Sequence, residues 1–247
     1  MFPRVQLLGV FLDPLTPAEA VARIRSFLEE DRQRQVVTPN SEMLVAGARD
    51  ASFRAVLNGA ALSLPDSAGL LPLARWTGQH LPARVTGVDT VQSLCADLDE
   101  AHTVFLLGAA PGVAEKAADA LRRRNPRLRI AGTFAGSPKD ADASAIIQRI
   151  NAASPHLLFV AYGAPAQERW IHTHLAAMPS VRVAMGVGGT LDFLAGARTR
   201  APSWMQSLSL EWLWRLLQEP SRLGRILNAV AVFPLLVLRY GKEAPQS

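Results

Sequence analysis

The chain of 247 residues is 49% hydrophobic and 19% charged, with 17 Gly, 17 Pro and a single Cys. That length can bury a sizeable core, the composition excludes wholesale disorder, and one Cys excludes an internal disulfide framework or a multi-cysteine metal site. The formal charge of +5 sits at one end: residues 198–247 carry seven Lys or Arg against three Asp or Glu, whereas 1–197 carry nineteen against eighteen. A basic tail leaves acidic partners open, among them nucleotide phosphates and anionic lipid.

In chain order, Val5–Phe11 reads as a strand, and Thr16–Glu30 as a helix capped by Thr16 with Pro17 at its first position. Gln35–Thr38 is a short strand running into the Thr38-Pro39-Asn40 turn, Ser41–Asn58 a helix, and Ala61–Leu64 a strand ending at Pro65-Asp66. Leu70–Thr77 and Asp89–Leu98 read as helices. Thr103–Leu107, Arg129–Thr133, Leu157–Ala161 and Arg182–Val187 then form four apolar strands, separated by the helices Gly112–Arg124, Ala141–Ala153 and Ala166–Met178. Such alternation predicts an α/β fold, a mainly parallel Rossmann-like sheet with helices on both faces. The pattern gives way near 196–202, which predicts a catalytic domain over 1–197 and a helical appendage over 198–247. The first ten residues lack the long apolar core of a secretory signal. The most apolar later stretch, Ile226–Leu238, has thirteen residues and includes Pro234, so it is expected to lie on a bilayer rather than cross it.

Ligands of open α/β sheets lie beyond the carboxyl ends of the strands, so the loops there hold the candidate residues. Asp66 follows a short strand and is flanked by the small residues Ser67, Ala68 and Gly69. Its carboxylate can take a proton from an attacking hydroxyl, or it can cap the following helix. Thr38 and Asn40 offer a hydroxyl and an amide to a sugar or phosphate, or simply build a turn. Gly108 opens a strand-to-helix loop whose N–H groups can approach phosphate, but the full dinucleotide fingerprint is missing. Gly163 begins another such turn, in which Gln167 either bonds a ligand or faces solvent. Gly188 lies in the Gly186–Thr190 turn, where the absence of a Walker lysine argues against a P-loop enzyme. No metal site emerges.

The tail combines Trp204, Trp212, Trp214, Leu208, Leu213, Leu216 and Leu217 with Arg215, Arg222 and Arg225. Aromatics, arginines and an amphipathic helix suit an anionic membrane surface; packing on the α/β body and homo-oligomer contacts are the other uses of the same face. The basic groups are too few, and unaccompanied by a motif, for nucleic acid.

Taken together, Thr38-Pro39-Asn40, Leu64–Gly69, Arg84–Asp89, Gly163–Glu168, Gly186–Asp192, Arg200-Ala201-Pro202, Glu211–Leu216 and Glu219–Arg222 resemble, in this order and over nearly the whole chain, the WecG/TagA/CpsF glycosyltransferases. These bacterial enzymes extend polyprenyl-diphosphate-linked saccharides. The resemblance implies that Thr38 and Asn40 line a donor pocket, that Asp66 is the general base, and that Arg84 and Gln167 act around the diphosphate and sugar. It also implies an arginine from the tail at the donor diphosphate. Two positions depart from the family pattern: Ser67 where Gly is common, and Ala166 where Lys is common. The implied chemistry is inverting, metal-independent and cofactor-free transfer from a nucleotide sugar, a uridine diphosphate sugar by resemblance, to a polyprenyl-diphosphate-linked acceptor. N-acetylmannosamine is among the sugars such enzymes move. The implied location is the inner face of the bacterial cell membrane, held peripherally from the cytoplasm. The alternative is a non-catalytic nucleotide-sugar-binding or assembly subunit on the same scaffold.

Overall fold

A computed structural model describes residues 3–202, 204–205, 211–220 and 223–245. An antiparallel hairpin, β1 (Val5–Leu7) and β2 (Val10–Leu12), stands beside a six-stranded sheet. The sheet contains β3 (Arg34–Val37), β4 (Leu62–Ser63), β5 (Thr103–Gly108), β6 (Arg129–Phe134), β7 (Leu157–Ala161) and β8 (Val183–Gly186). Its order is β4-β3-β8-β7-β5-β6, and every pairing in it is parallel. The expected fold class is therefore the observed one.

Successive strand residues face opposite ways, and this sorts the core. Val36, Val104, Leu106, Phe159 and Met185 pack with α1 (Pro17–Glu29), α5 (Gly87–Asp97), α6 (Val113–Arg124) and α9 (Thr190–Leu194). Phe105, Leu107, Leu158, Val160 and Ala184 face α7 (Asp140–Ala153) and α8 (Ala166–His174) on the other side. Val37 joins a third cluster with the hairpin, α2 (Ser41–Arg49), α3 (Ala51–Gly59) and α4 (Leu70–Trp76). The predicted start of α1 is a full capping box: the Glu19 N–H donates to Thr16 Oγ1 at 3.3 Å, and the Thr16 N–H donates to the Glu19 carboxylate at 2.8 Å.

Two elements differ from the expectation. The single strand over 5–11 is a hairpin, because Leu8 and Gly9 turn with φ of 51° and 78°. The helix over 41–58 is two helices, because Asp50 leaves helical geometry and accepts the Phe53 N–H at 3.0 Å, capping α3. A short polar side chain competes with the helix for its own backbone there.

The end of the chain forms α10 (Glu211–Gln218) and α11 (Leu223–Tyr240). The second is a continuous helix of 18 residues with a mean hydropathy of 1.5, long and apolar enough by length and composition to cross a membrane. The thirteen-residue stretch read from the sequence is thus extended in both directions. Pro234 does not break it, because the turn over Asn228–Val232 is a π-helix and loosens the register where proline lacks an N–H. One face of α11 is committed to the protein: Ile226, Phe233 and Val237 are buried, the last two in the cluster of the hairpin and α2. Its end is tied down by the Leu8 and Gly9 N–H groups, which donate to Gly241 O and Lys242 O at 3.2 and 2.7 Å. The opposite face exposes Leu223, Leu227, Leu235 and Leu238. Leu208 lies outside the described residues.

Candidate active site

The strand order brings four carboxyl ends side by side, those of β4, β3, β8 and β7. Thr38 and Asn40 leave β3, Asp66 leaves β4, Gly163 and Gln167 follow β7, and Gly188 follows β8; all line one polar cavity of about 150 Å³. A second, more apolar cavity of about 430 Å³ adjoins it, and Asn40 and Asp66 line both. Gly108 ends β5, farther along the sheet, and is not among the residues lining either cavity. Its φ is +104°, and an added Cβ would meet Ala161 backbone atoms at 2.7 Å, so it permits the close approach of β5 to β7.

Asp66 does not cap the helix that follows it, since α4 has Gly69 as its N-cap residue and no side-chain cap. Its Oδ2 instead accepts the Gly87 N–H at 3.1 Å, which sets the carboxylate at the N-terminus of α5. The Asp66 N–H donates to Pro39 O at 2.9 Å, locking the β4 loop onto the β3 loop. A quarter of the side chain (25%) remains exposed, so the carboxylate can be reached. Asn40 caps α2 through its Oδ1, which accepts the Met43 N–H at 3.0 Å, and it still faces both cavities. Thr38 is buried against the floor of the polar one. The Ser67 hydroxyl accepts the Ser41 N–H at 3.2 Å and lies 2.9 Å from Ser41 Oγ, fastening the start of α2 to the β4 loop.

Gln167 is not a solvent-facing residue; it is 4% exposed. Its Oε1 accepts two backbone N–H groups, from Gly163 at 3.0 Å and Gly188 at 2.9 Å, so one amide clips the β7 loop to the β8 loop. Its Nε2 donates to Glu168 Oε1 at 2.7 Å. A Cβ at Gly186 would fall 2.7 Å from that Nε2, so only glycine leaves room for the clip. Glu168 is fully buried, and burial pushes its carboxyl up to about 7 from an ordinary 4.5. Its neutral form is therefore favoured in the fold, while the unfolded chain ionises above pH 4.5, so this group lowers stability as pH rises from about 4.5 to about 7. At about 1.4 kcal/mol per unit, the loss is on the order of 3 kcal/mol. Glu168→Gln should remove that slope. Chemical denaturation at pH 4.5 and pH 8 checks it: the variant gains on the wild type at the higher pH, and an unchanged difference would contradict a buried neutral acid.

Arginines surround the two cavities, each held by a carboxylate. Arg84 lines the apolar cavity, donates through Nε to Asp66 O at 3.3 Å, and pairs with Glu211 of α10. Arg200 forks onto Asp89 at 2.6 and 2.9 Å and lies 3.7 Å from Glu211. The Arg200 guanidinium, helped by the Thr86 hydroxyl, holds Asp89 below the usual carboxylate range. Arg198 and Arg225 line the polar cavity and pair with Glu219 at 2.6 Å and Glu42 at 2.7 Å. Arg222 and the side chain of Arg215 lie outside the described residues. The sequence reading missed Arg198, which lines the polar cavity, and gave no role to Arg200, which lines neither cavity. Their closeness to the boundary near 196–202 was the available signal, since that segment brings the tail back over the strand ends.

The family described as "Glycosyl transferase WecG/TagA/CpsF family" matches residues 5–247. Three relatives carry the name N-acetylglucosaminyldiphosphoundecaprenol N-acetyl-beta-D-mannosaminyltransferase. The Bacillus spizizenii protein is 34% identical over 204 residues, which is 82% of this chain and 78% of that protein. The Bacillus subtilis protein is 31% identical over 220 residues, 89% of this chain and 84% of its own length. A Staphylococcus aureus protein is 32% identical over 233 residues, 93% and 90% of the two chains. A parallel α/β body whose strand ends hold an acid between two cavities, matched along almost its whole length, places this chain in the WecG/TagA/CpsF family of glycosyltransferases.

Proposed function

We propose that this glycosyltransferase moves a sugar, N-acetylmannosamine by analogy with its relatives' names, from a uridine diphosphate donor to a saccharide on polyprenyl diphosphate. The observation that carries the reading is Asp66, the acidic residue common to a polar and an apolar cavity. Part of the donor, its sugar and diphosphate, enters the polar cavity, with Thr38, Asn40 and the Gly163 and Gly188 turns around it and Gln167 holding those turns in register. The acceptor hydroxyl comes from the other side. Asp66 takes its proton, the oxygen bonds to the anomeric carbon, and the bond to the diphosphate breaks, with the electron pair leaving on the nucleotide. One displacement inverts the anomeric centre.

Arg84, Arg198, Arg200 and Arg225 supply positive charge near the strand ends, which suits stabilisation of the departing diphosphate without a metal ion. Incubating matched donor and acceptor in excess chelator, then reading the anomeric configuration of the product by NMR, tests both points. A β-linked product at an undiminished rate is expected from an α-linked donor. Loss of turnover restored by a divalent cation, or an α-linked product, would overturn them.

In the same reading, residues 1–197 form the catalytic body, and 198–247 hold it peripherally on the cytoplasmic face of the membrane. Support comes from the two-sided nature of α11: Phe233 and Val237 are buried in the body, while Leu227 and Leu235 are exposed. Leu227→Asp with Leu235→Asp should cut binding to anionic vesicles at least tenfold while leaving the melting temperature within a few degrees. Arg225→Gln should weaken binding more at low salt than at high salt, since its attraction is screened. Vesicle sedimentation reads both, and full retention by the double variant would remove α11 from the membrane role.

A further inference from the structure

The apolar cavity reaches Asp66, and away from that residue its walls are mostly apolar. Its walls are Pro72 and Leu73 of α4, Trp212 of α10, and Ile226, Val230 and Phe233 of α11. Its polar lining groups gather around Asp66. Arg84 touches that residue and Glu211, Ser67 follows it in the chain, and the Ser67 hydroxyl is bonded to that of Ser41 at the start of α2. Val230 and Trp212 line the cavity and are also 40% and 36% exposed, so the space reaches the surface among apolar residues. A volume of about 430 Å³ lies within the range of small-molecule sites, roughly 300–1,000 Å³.

From this geometry we propose that the cavity binds an isoprenoid: the first isoprene units of the acceptor lipid, next to its diphosphate, thread between α4 and α11. The inference rests on the functional reading above and deepens it. Continuity at Asp66 and Asn40 commits the space to the acceptor rather than the donor, because a lipid-linked sugar must present its hydroxyl to the acid while its chain lies on an apolar path. The inner face of α11 then grips the substrate, and the outer face, with Leu227, Leu235 and Leu238, meets the bilayer. The lipid is recognised as part of the substrate and is not only a tether. Burial of its apolar surface strengthens binding of acceptors that possess it.

Two arms test this in the full chain. In the first, farnesyl diphosphate and inorganic diphosphate are titrated without donor, so no turnover is needed. Farnesyl diphosphate should bind at least tenfold more tightly than inorganic diphosphate. Val230→Trp, which fills the mouth, and Val230→Asp, which charges it, should each erase most of that advantage. In the second, transfer to a polyprenyl-linked acceptor is compared with transfer to the same saccharide diphosphate on a methyl group. The preference for the long chain should fall at least tenfold in both variants, while vesicle binding stays near the wild-type value. Equal binding of the two diphosphates by the wild type, an advantage untouched by either substitution, or a loss that follows vesicle binding would overturn the proposal. Absence of transfer from every donor, with farnesyl binding intact, would count against the functional reading and leave the isoprenoid site standing.

Discussion

Asp66→Asn is expected to lower transfer by about 10²–10⁴-fold, the range in which a positioned base contributes, with folding and donor binding retained. The Asn side chain has the same shape, and its Oδ1 can still accept the Gly87 N–H that Asp66 accepts at 3.1 Å. The β4 loop stays in place through a backbone bond, Asp66 N–H to Pro39 O at 2.9 Å, which the substitution does not touch. What is lost is the capacity to take a proton. Steady-state kinetics should show the fall in kcat with the donor KM nearly unchanged. Wild-type turnover in the variant would take the base role away from Asp66.

Arg84→Gln should lower kcat by roughly 10²–10³-fold, the usual consequence of removing one donor aimed at developing negative charge. In the structure Arg84 pairs with Glu211 and lies 3.7 Å from Asp66 Oδ1, so its guanidinium is held between the acid and a carboxylate of the tail. We read Glu211 as occupying the place of an anionic substrate group. Glu211→Gln should then weaken the hold of the tail without harming the chemistry, whereas Arg84→Gln harms the chemistry itself. Side-by-side kcat values check this; equal losses in the two variants would mean that the pair serves only to fasten α10.

The parallel sheet was legible because its strands are short apolar runs separated by helix-length segments, and their buried positions alternate as period-two elements must. The candidate cavity was legible as far as strand ends reveal it: Thr38, Asn40, Asp66, Gly163, Gln167 and Gly188 converge on it. Gly108 did not converge with them, because β7 and β8 stand between β5 and β3, an order no local pattern encodes. Local competition hid other features. Asp50 sits in a run that reads as one helix, yet its side chain serves better as a cap, and Pro234 reads as a break that a π turn absorbs. The pairing of Arg84 with Glu211, 127 residues apart, depends on how the tail folds back and leaves no trace in spacing. Glu168 is a buried acid, and only the packing of Gly186 and Gln167 around it shows this.

The most direct test supplies the purified wild-type protein with a polyprenyl-diphosphate-linked N-acetylglucosamine and a panel of uridine diphosphate sugars, and weighs the lipid product. A single donor should add one sugar residue to the lipid, with release of uridine diphosphate. Tight nucleotide-sugar binding with no mass added from any donor would contradict the account and leave a binding subunit in place of the enzyme.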